Sequence, residues 1–179
     1  MNSTLKVSIK SRALRLACAS VFAGFGVLGA TAHANDNVAS ADATATVIQP
    51  ITITKTTDLG FGSFAAPRSG AGTVVMAPGS TRTHTGSIVL SHLGAGQAAA
   101  FNVAGEPNAN YAITLPNSVT LTSGVNSMTV DTFVSTPSST STLSGTGTGT
   151  IEVGATLHVA QAQPAGTYAG SFNVTVDYN

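Results

Sequence analysis

Chemistry needs groups that titrate, ligate or attack, and this chain offers few of them. Beyond residue 34 it holds His84, His92 and His158, the carboxylates Asp36, Asp42, Asp58, Glu106, Asp131, Glu152 and Asp177, and no cysteine. No HExxH or CxxC spacing occurs, and no histidine has a second ligand at the short separations of zinc or iron sites. His84 and His92 share strand parity, but eight residues of extended chain span about 26 Å, too far for one metal ion. His158 falls on the polar side of its strand. All three are expected to be ordinary surface residues, with no metal and no cofactor.

A hydrolase needs a nucleophile held by a base and an orienting group. Serines are plentiful, yet none stands in a GxSxG elbow, and combinations such as Ser87, His84 and Asp131 have no supporting pattern. Glu106, Asp131 and Glu152 can be paired as glycosidase carboxylates only arbitrarily, and Glu106-Pro107 reads as a turn. Asp58 and Asp131 fit no calcium-loop spacing. The glycine pairs Gly60/Gly62 and Gly70/Gly72 open no helix, so they cradle no phosphate. No catalytic, cofactor-binding or metal residues are therefore assigned, and an enzyme is not expected.

The N-terminus carries a different kind of information. Lys6, Lys10, Arg12 and Arg15 precede the apolar run Leu16–Ala30, and Ala32-His33-Ala34 supplies small-residue cleavage positions. That order is the order of a secretory signal, with an apolar stretch too short to span a bilayer comfortably. Residues 1–34 are expected to be a signal peptide cleaved after Ala34. Cys18 would leave with it, so no disulfide staples the remainder. The protein is expected to be exported, to the periplasm, outer surface or medium, with no membrane span in its mature form.

The expected mature chain, Asn35–Asn179, is one domain's worth of residues. Its three basic residues, Lys55, Arg68 and Arg82, face seven acidic ones, a net charge of −4. Nothing there draws a phosphate backbone, so nucleic acid is not a partner. Charged residues make up 8% of the full chain, against about 25% in an ordinary soluble domain. Threonine, serine, asparagine and glycine replace them, which suits an extracellular module or a packed assembly.

Stepping through the chain, apolar residues recur at period 2 rather than 3.6. Ile51 and Ile53, Ile88 and Leu90, Phe101 and Val103, and Tyr111, Ile113 and Leu115 mark strands. Pro116-Asn117-Ser118 predicts a tight reversal before Val119 and Leu121. Met128 and Val130, with Phe133 or Val134, predict another strand. Ile151, Val153, Ala155, Leu157 and Val159 face one way, and Tyr168, Gly170, Phe172, Val174, Val176 and Tyr178 do the same after the turn at 161–166. These last two runs predict an antiparallel hairpin. Residues 67–72 and the Ser/Thr/Gly-rich run 136–149 predict loops, the latter flexible around a weak strand candidate at Leu143.

Strands with one apolar face need a second sheet to cover them. The expected fold is all-β, an antiparallel β-sandwich over residues 48–179, immunoglobulin-like or pilin-like, with a jelly roll or small barrel as the other solution. Residues 35–47 form an N-terminal extension in which Ala41, Ala43, Ala45 and Val47 alternate with polar residues, as a first strand, a linker or a candidate donor strand would.

The runs ITITKTTDLGFGSF (51–64), FNVAGEPNANYAITLPNSVTLTSG (101–124), MTVDTF (128–133) and VGATLHVAQAQPAGTYAGSFNVTVDYN (153–179) together resemble the bacterial domain of unknown function 4402 family. The resemblance covers nearly all of the expected mature chain. It implies an exported β-sandwich and brings no enzymatic residues with it.

A weaker likeness is to chaperone-usher pilin subunits. It rests on the alternating C-terminal strand, the penultimate Tyr178, and Gly166 at the fourteenth position from the end. It implies a groove lined by Gly166, Tyr168, Phe172, Val174, Val176 and Tyr178 that a neighbour's extension fills by strand addition, with self-association into filaments and a periplasmic chaperone and outer-membrane usher as partners. The pilin disulfide has no counterpart here. Three functions stay open: a subunit of a surface fibre, pilus or coat; a monomeric secreted or surface domain; and a ligand-binding or hydrolytic protein.

Overall fold

Alternating side chains make strands only where something covers their apolar side, and two cores do so here. The computed structural model describes residues 38–179, so the expected signal peptide lies outside the described residues. Twelve strands run in order: β1 (Thr52–Thr57), β2 (Phe64–Ala65), β3 (Gly72–Met76), β4 (Arg82–His84), β5 (Val89–Leu90), β6 (Ala99–Ala104), β7 (Asn110–Thr114), β8 (Ser118–Ser123), β9 (Asn126–Thr136), β10 (Thr140–Thr142), β11 (Thr148–Val159) and β12 (Thr175–Tyr178). Every pairing is antiparallel.

Strand β11 is the axis of the large, seven-stranded sheet. Its first half pairs with β6, which carries β1, and its second half pairs with β3, which carries β4; its other edge pairs with β9, which carries β8. Ile151, Val153, Ala155, Leu157 and Val159 are all buried on one face, as their alternation predicts. Ile151 and Val153 meet Phe101 and Val103 from the same sheet and Tyr111, Ile113 and Val176 from a three-stranded sheet of β10, β7 and β12. Leu157 and Val159 instead meet Val74, Met76, Met128 and Val130, covered by Phe61, Ile88 and the two-stranded sheet of β2 and β5. The architecture is thus an all-β, antiparallel, sandwich-like stack.

Several local expectations change once pairing is known. The last two apolar runs do not form a hairpin. β11 belongs to the large sheet, whereas β12 pairs with β7 across the core, Val176 opposite Ile113 and Tyr178 opposite Tyr111. Periodicity reports which side is buried, not which strand lies alongside. The reversal at Pro116 also crosses between layers, since β7 sits in the three-stranded sheet and β8 pairs with β9.

On β9 a bulge decides which aromatic turns inward. Gly154 faces Val134 and Thr156 faces Asp131, with Thr132 between them at a φ of 50°. The extra residue switches parity, so Met128 and Val130 are buried, Phe133 follows them inward, and Val134 is left 45% exposed.

The run 136–149 was expected to be a flexible surface loop, and it is instead built into the fold. Thr140–Thr142 pairs with β7, β11 begins at Thr148, and Leu143 is only 2% exposed. The hydroxyls of Ser144, Thr146 and Thr148 bond one another at the turn between them. Strand β3 carries no counterpart among the expected strands, although Val74 and Met76 alternate and are fully buried. The outward face keeps the polar partners of these alternations, in cross-strand rows such as Thr54, Asn102 and Thr150.

Leu143→Ala should therefore cost about 2–5 kcal/mol in denaturant unfolding, as truncation of a buried leucine does. Leu93→Ala, at a position 95% exposed, should change stability by less than about 0.5 kcal/mol.

Candidate functional site

The second core is less completely roofed than the first, and the gap forms a cleft of about 1020 Å³. Its floor is the apolar side of Leu121, Met128, Val130 and Leu157; Phe61 and Phe64 stand on one side, Tyr168 and Phe172 on the other. Lys55 and Asp58 pair at the rim, an exposed contact of little energetic weight.

The Tyr168 side of the cleft is held in an unusual way. Ala169 exchanges two backbone hydrogen bonds with Thr122 on β8, at 2.9 and 3.0 Å. From Gly170 to Val174 no backbone hydrogen bond joins the chain to another described segment, and strand pairing resumes only at Thr175. Inward and outward positions still alternate, with Phe172 and Val174 partly covered and Ser171 and Asn173 exposed. Side chains do the anchoring. Phe172 packs edge-on to Phe101, with ring centres 6.4 Å apart, and tilted against Phe133 at 5.1 Å. Chain whose N–H and C=O groups have no partner among the described residues, beside an apolar floor, is what an added strand would pair with.

The opposite wall is fixed by one guanidinium. Arg82 donates to the carbonyl oxygens of Phe61 (2.9 Å), Ser63 (3.3 Å), Gly94 (2.9 Å) and Ser91 (2.9 Å). The planar fork reinforces two loops that are joined by only two backbone bonds, Ser63 N–H to the Gly94 carbonyl and Ser91 N–H to the Ser63 carbonyl. Gly62 lies between these carbonyls at a φ of 69°, where a Cβ would collide with the guanidinium and with the Gly94 carbonyl. Sequence reading missed Arg82, because its partners are backbone atoms up to 21 residues away.

A second polar arrangement closes the far end of β1. The Tyr178 hydroxyl donates to the Gln49 carbonyl (2.7 Å) and accepts from the Glu106 N–H (2.6 Å), while a Glu106 carboxylate oxygen accepts from the Gln49 N–H (2.9 Å). Of the candidate groove residues, Tyr168 and Phe172 line the cleft and Gly166 borders it. Val174, Val176 and Tyr178 pack instead with the first core. Among the candidate donor positions, Ala41, Ala43, Ala45 and Val47 are all exposed and outside any strand, Val47 at 96%.

The expected surface histidines need one correction. His158 is exposed but not alone: its Nε2 lies 2.8 Å from an Asp131 carboxylate oxygen, brought together by the β9–β11 pairing. The hydrogen bond from His158 holds the Asp131 carboxyl below its ordinary range, and the Thr132 hydroxyl adds to the effect. Among the described residues no group of three or more His, Cys, Asp or Glu could hold a metal, and no helix is long and apolar enough to cross a membrane.

A family model described as a domain of unknown function, DUF4402, matches residues 51–178. No curated protein and no solved structure matches the chain.

Two outcomes follow from this geometry. Arg82→Met should destabilise the domain by on the order of 3 kcal/mol in urea unfolding, since several carbonyls lose a charged donor, and Arg82→Lys should recover part of that. For Asp131 the folded pKa lies below the unfolded one, so its contribution is present above the unfolded value and fades as pH falls through the folded value. Wild type should melt above Asp131→Asn near neutral pH, and the gap should close on acidification; a gap that widens would contradict the pairing.

Proposed function

The chain belongs to the DUF4402 family, a domain of unknown function, and from its own geometry we propose that it is a non-enzymatic, exported structural protein, a subunit of a surface fibre, pilus or coat that assembles by β-strand addition. The observation that carries this reading is the pairing of two incomplete elements in one chain. One is the exposed extension, in which Ala41, Ala43, Ala45 and Val47 alternate with polar residues and enter no strand. The other is the apolar cleft, whose Gly170–Val174 side has its backbone groups free of other described segments. Small side chains at every second position suit a floor made of Leu121, Met128 and Val130, and main-chain bonds to the free edge supply the affinity.

The sequence of residues 1–34, read as an export signal, supports assembly beyond the inner membrane, where a periplasmic chaperone and an outer-membrane usher are the partners this reading calls for. The sparsely charged, hydroxyl-rich outer face supports it too, because subunits packed at high density bring few charges together. A monomeric secreted or surface domain is the second reading. Tyr178 favours it, since its hydroxyl is engaged within its own chain.

The test uses protein collected after export. It should form linear filaments in electron micrographs, and deletion of Ala41–Val47 should leave folded subunits that sediment as monomers. Filaments that persist after the deletion, or intact protein that stays monomeric at every concentration, would overturn the proposal.

A further inference from the structure

The three-way contact at Gln49 bears on where the extension can go. β1 runs from Thr52 away from Gln49, and the cleft starts at the level of Lys55 and Asp58. Six residues of extended chain from Gln49 to Lys55, the near edge of the cleft, cover about 20 Å. Ala41 is eight residues from Gln49 in the other direction, at most about 27 Å of chain. To fill its own cleft, the extension must therefore reverse at Gln49 and run back along β1.

The local chemistry opposes that reversal. Tight hairpins use Gly, Asn or Asp at positions with positive φ, whereas the chain here reads Val47-Ile48-Gln49-Pro50-Ile51. Two β-branched residues precede Gln49, and Pro50 has a fixed φ and no N–H. Both polar backbone groups of Gln49 are already spent, its N–H on the Glu106 carboxylate and its carbonyl on the Tyr178 hydroxyl. The site is also closely fitted. Gly105 is buried beside it, and a Cβ there would collide with the Tyr178 hydroxyl.

We infer that Glu106 and Tyr178 form a collar around Gln49 that holds the extension away from its own domain and aims it at a second copy of this chain. The inference rests on the assembly reading above and adds the residues that set its direction. Donor exit and acceptor cleft then lie at different ends of β1, so the contact is head-to-tail and generates an open filament rather than a closed dimer. Glu106 and Tyr178 are positioning residues in this scheme. Neither touches the incoming strand.

The test is elongation of the exported protein together with disulfide trapping between Ala43→Cys and Ser171→Cys. In the wild-type background, mixed single-cysteine proteins should crosslink between chains, and the double-cysteine protein should show little internal crosslink when dilute. Glu106→Ala should slow elongation about fivefold or more, the factor set by one ordinary hydrogen bond, and should raise the internal crosslink. Glu106→Gln keeps an acceptor oxygen and should behave as wild type. Tyr178→Phe should act like Glu106→Ala; if it fails to fold, the Glu106 pair alone decides. Filaments that grow and crosslink identically in Glu106→Ala and wild type would overturn the collar and leave the assembly reading standing. Wild-type protein that never assembles would end both.

Discussion

Everything in this domain hangs on one twelve-residue strand, β11, whose inward side chains must be covered along their whole length. No single partner strand and no single facing sheet is long enough to do so. Its first half is flanked by β6 and roofed by the three-stranded sheet, its second by β3 and roofed by loops and a two-stranded ribbon. The division into two cores follows from that length, and so does the unequal quality of the two roofs. A regular sheet closes one end tightly. At the other end loops and a short ribbon leave an apolar cleft.

Two devices stabilise the weaker end without closing it. Arg82 reaches four carbonyls and so adds to the two backbone bonds that join the 61–63 and 91–94 segments. Phe172 fastens the opposite wall through aromatic contacts with Phe101 and Phe133, and the adjacent main chain has no partner among the described residues. A wall held by its side chains has its backbone available, and that distinction gives the cleft its proposed role in strand addition. The contacts of Glu106 and Tyr178 with Gln49 are the complementary device in the proposed scheme.

Much of this was legible in the sequence, for a definable reason. Alternation is a local property, so the buried faces of β1, β6, β7, β9 and β11 could be read directly from Ile53, Phe101, Tyr111, Met128 and Ile151. Partner choice is not local. The runs 151–159 and 168–178 look like two arms of a hairpin because each has one apolar side, yet the turn between them carries the chain across the sandwich. Leu143 gave only a weak strand signal for another reason: one apolar residue among serines and threonines has no period to strengthen it. The cleft was the least legible feature, because it arises where a segment with strand-like alternation makes no ladder. The Asp131–His158 contact likewise needed the register of β9 on β11, a relation between residues 27 apart.

The polar side of the large sheet carries rows of hydroxyls and amides where most soluble domains carry opposed charges. Among the described residues only two ion pairs form, both exposed. Cohesion therefore comes from buried hydrocarbon and from hydrogen bonds between neutral groups, neither of which a counterion atmosphere can weaken much. Where the surrounding electrolyte changes without warning, such a body keeps nearly constant strength.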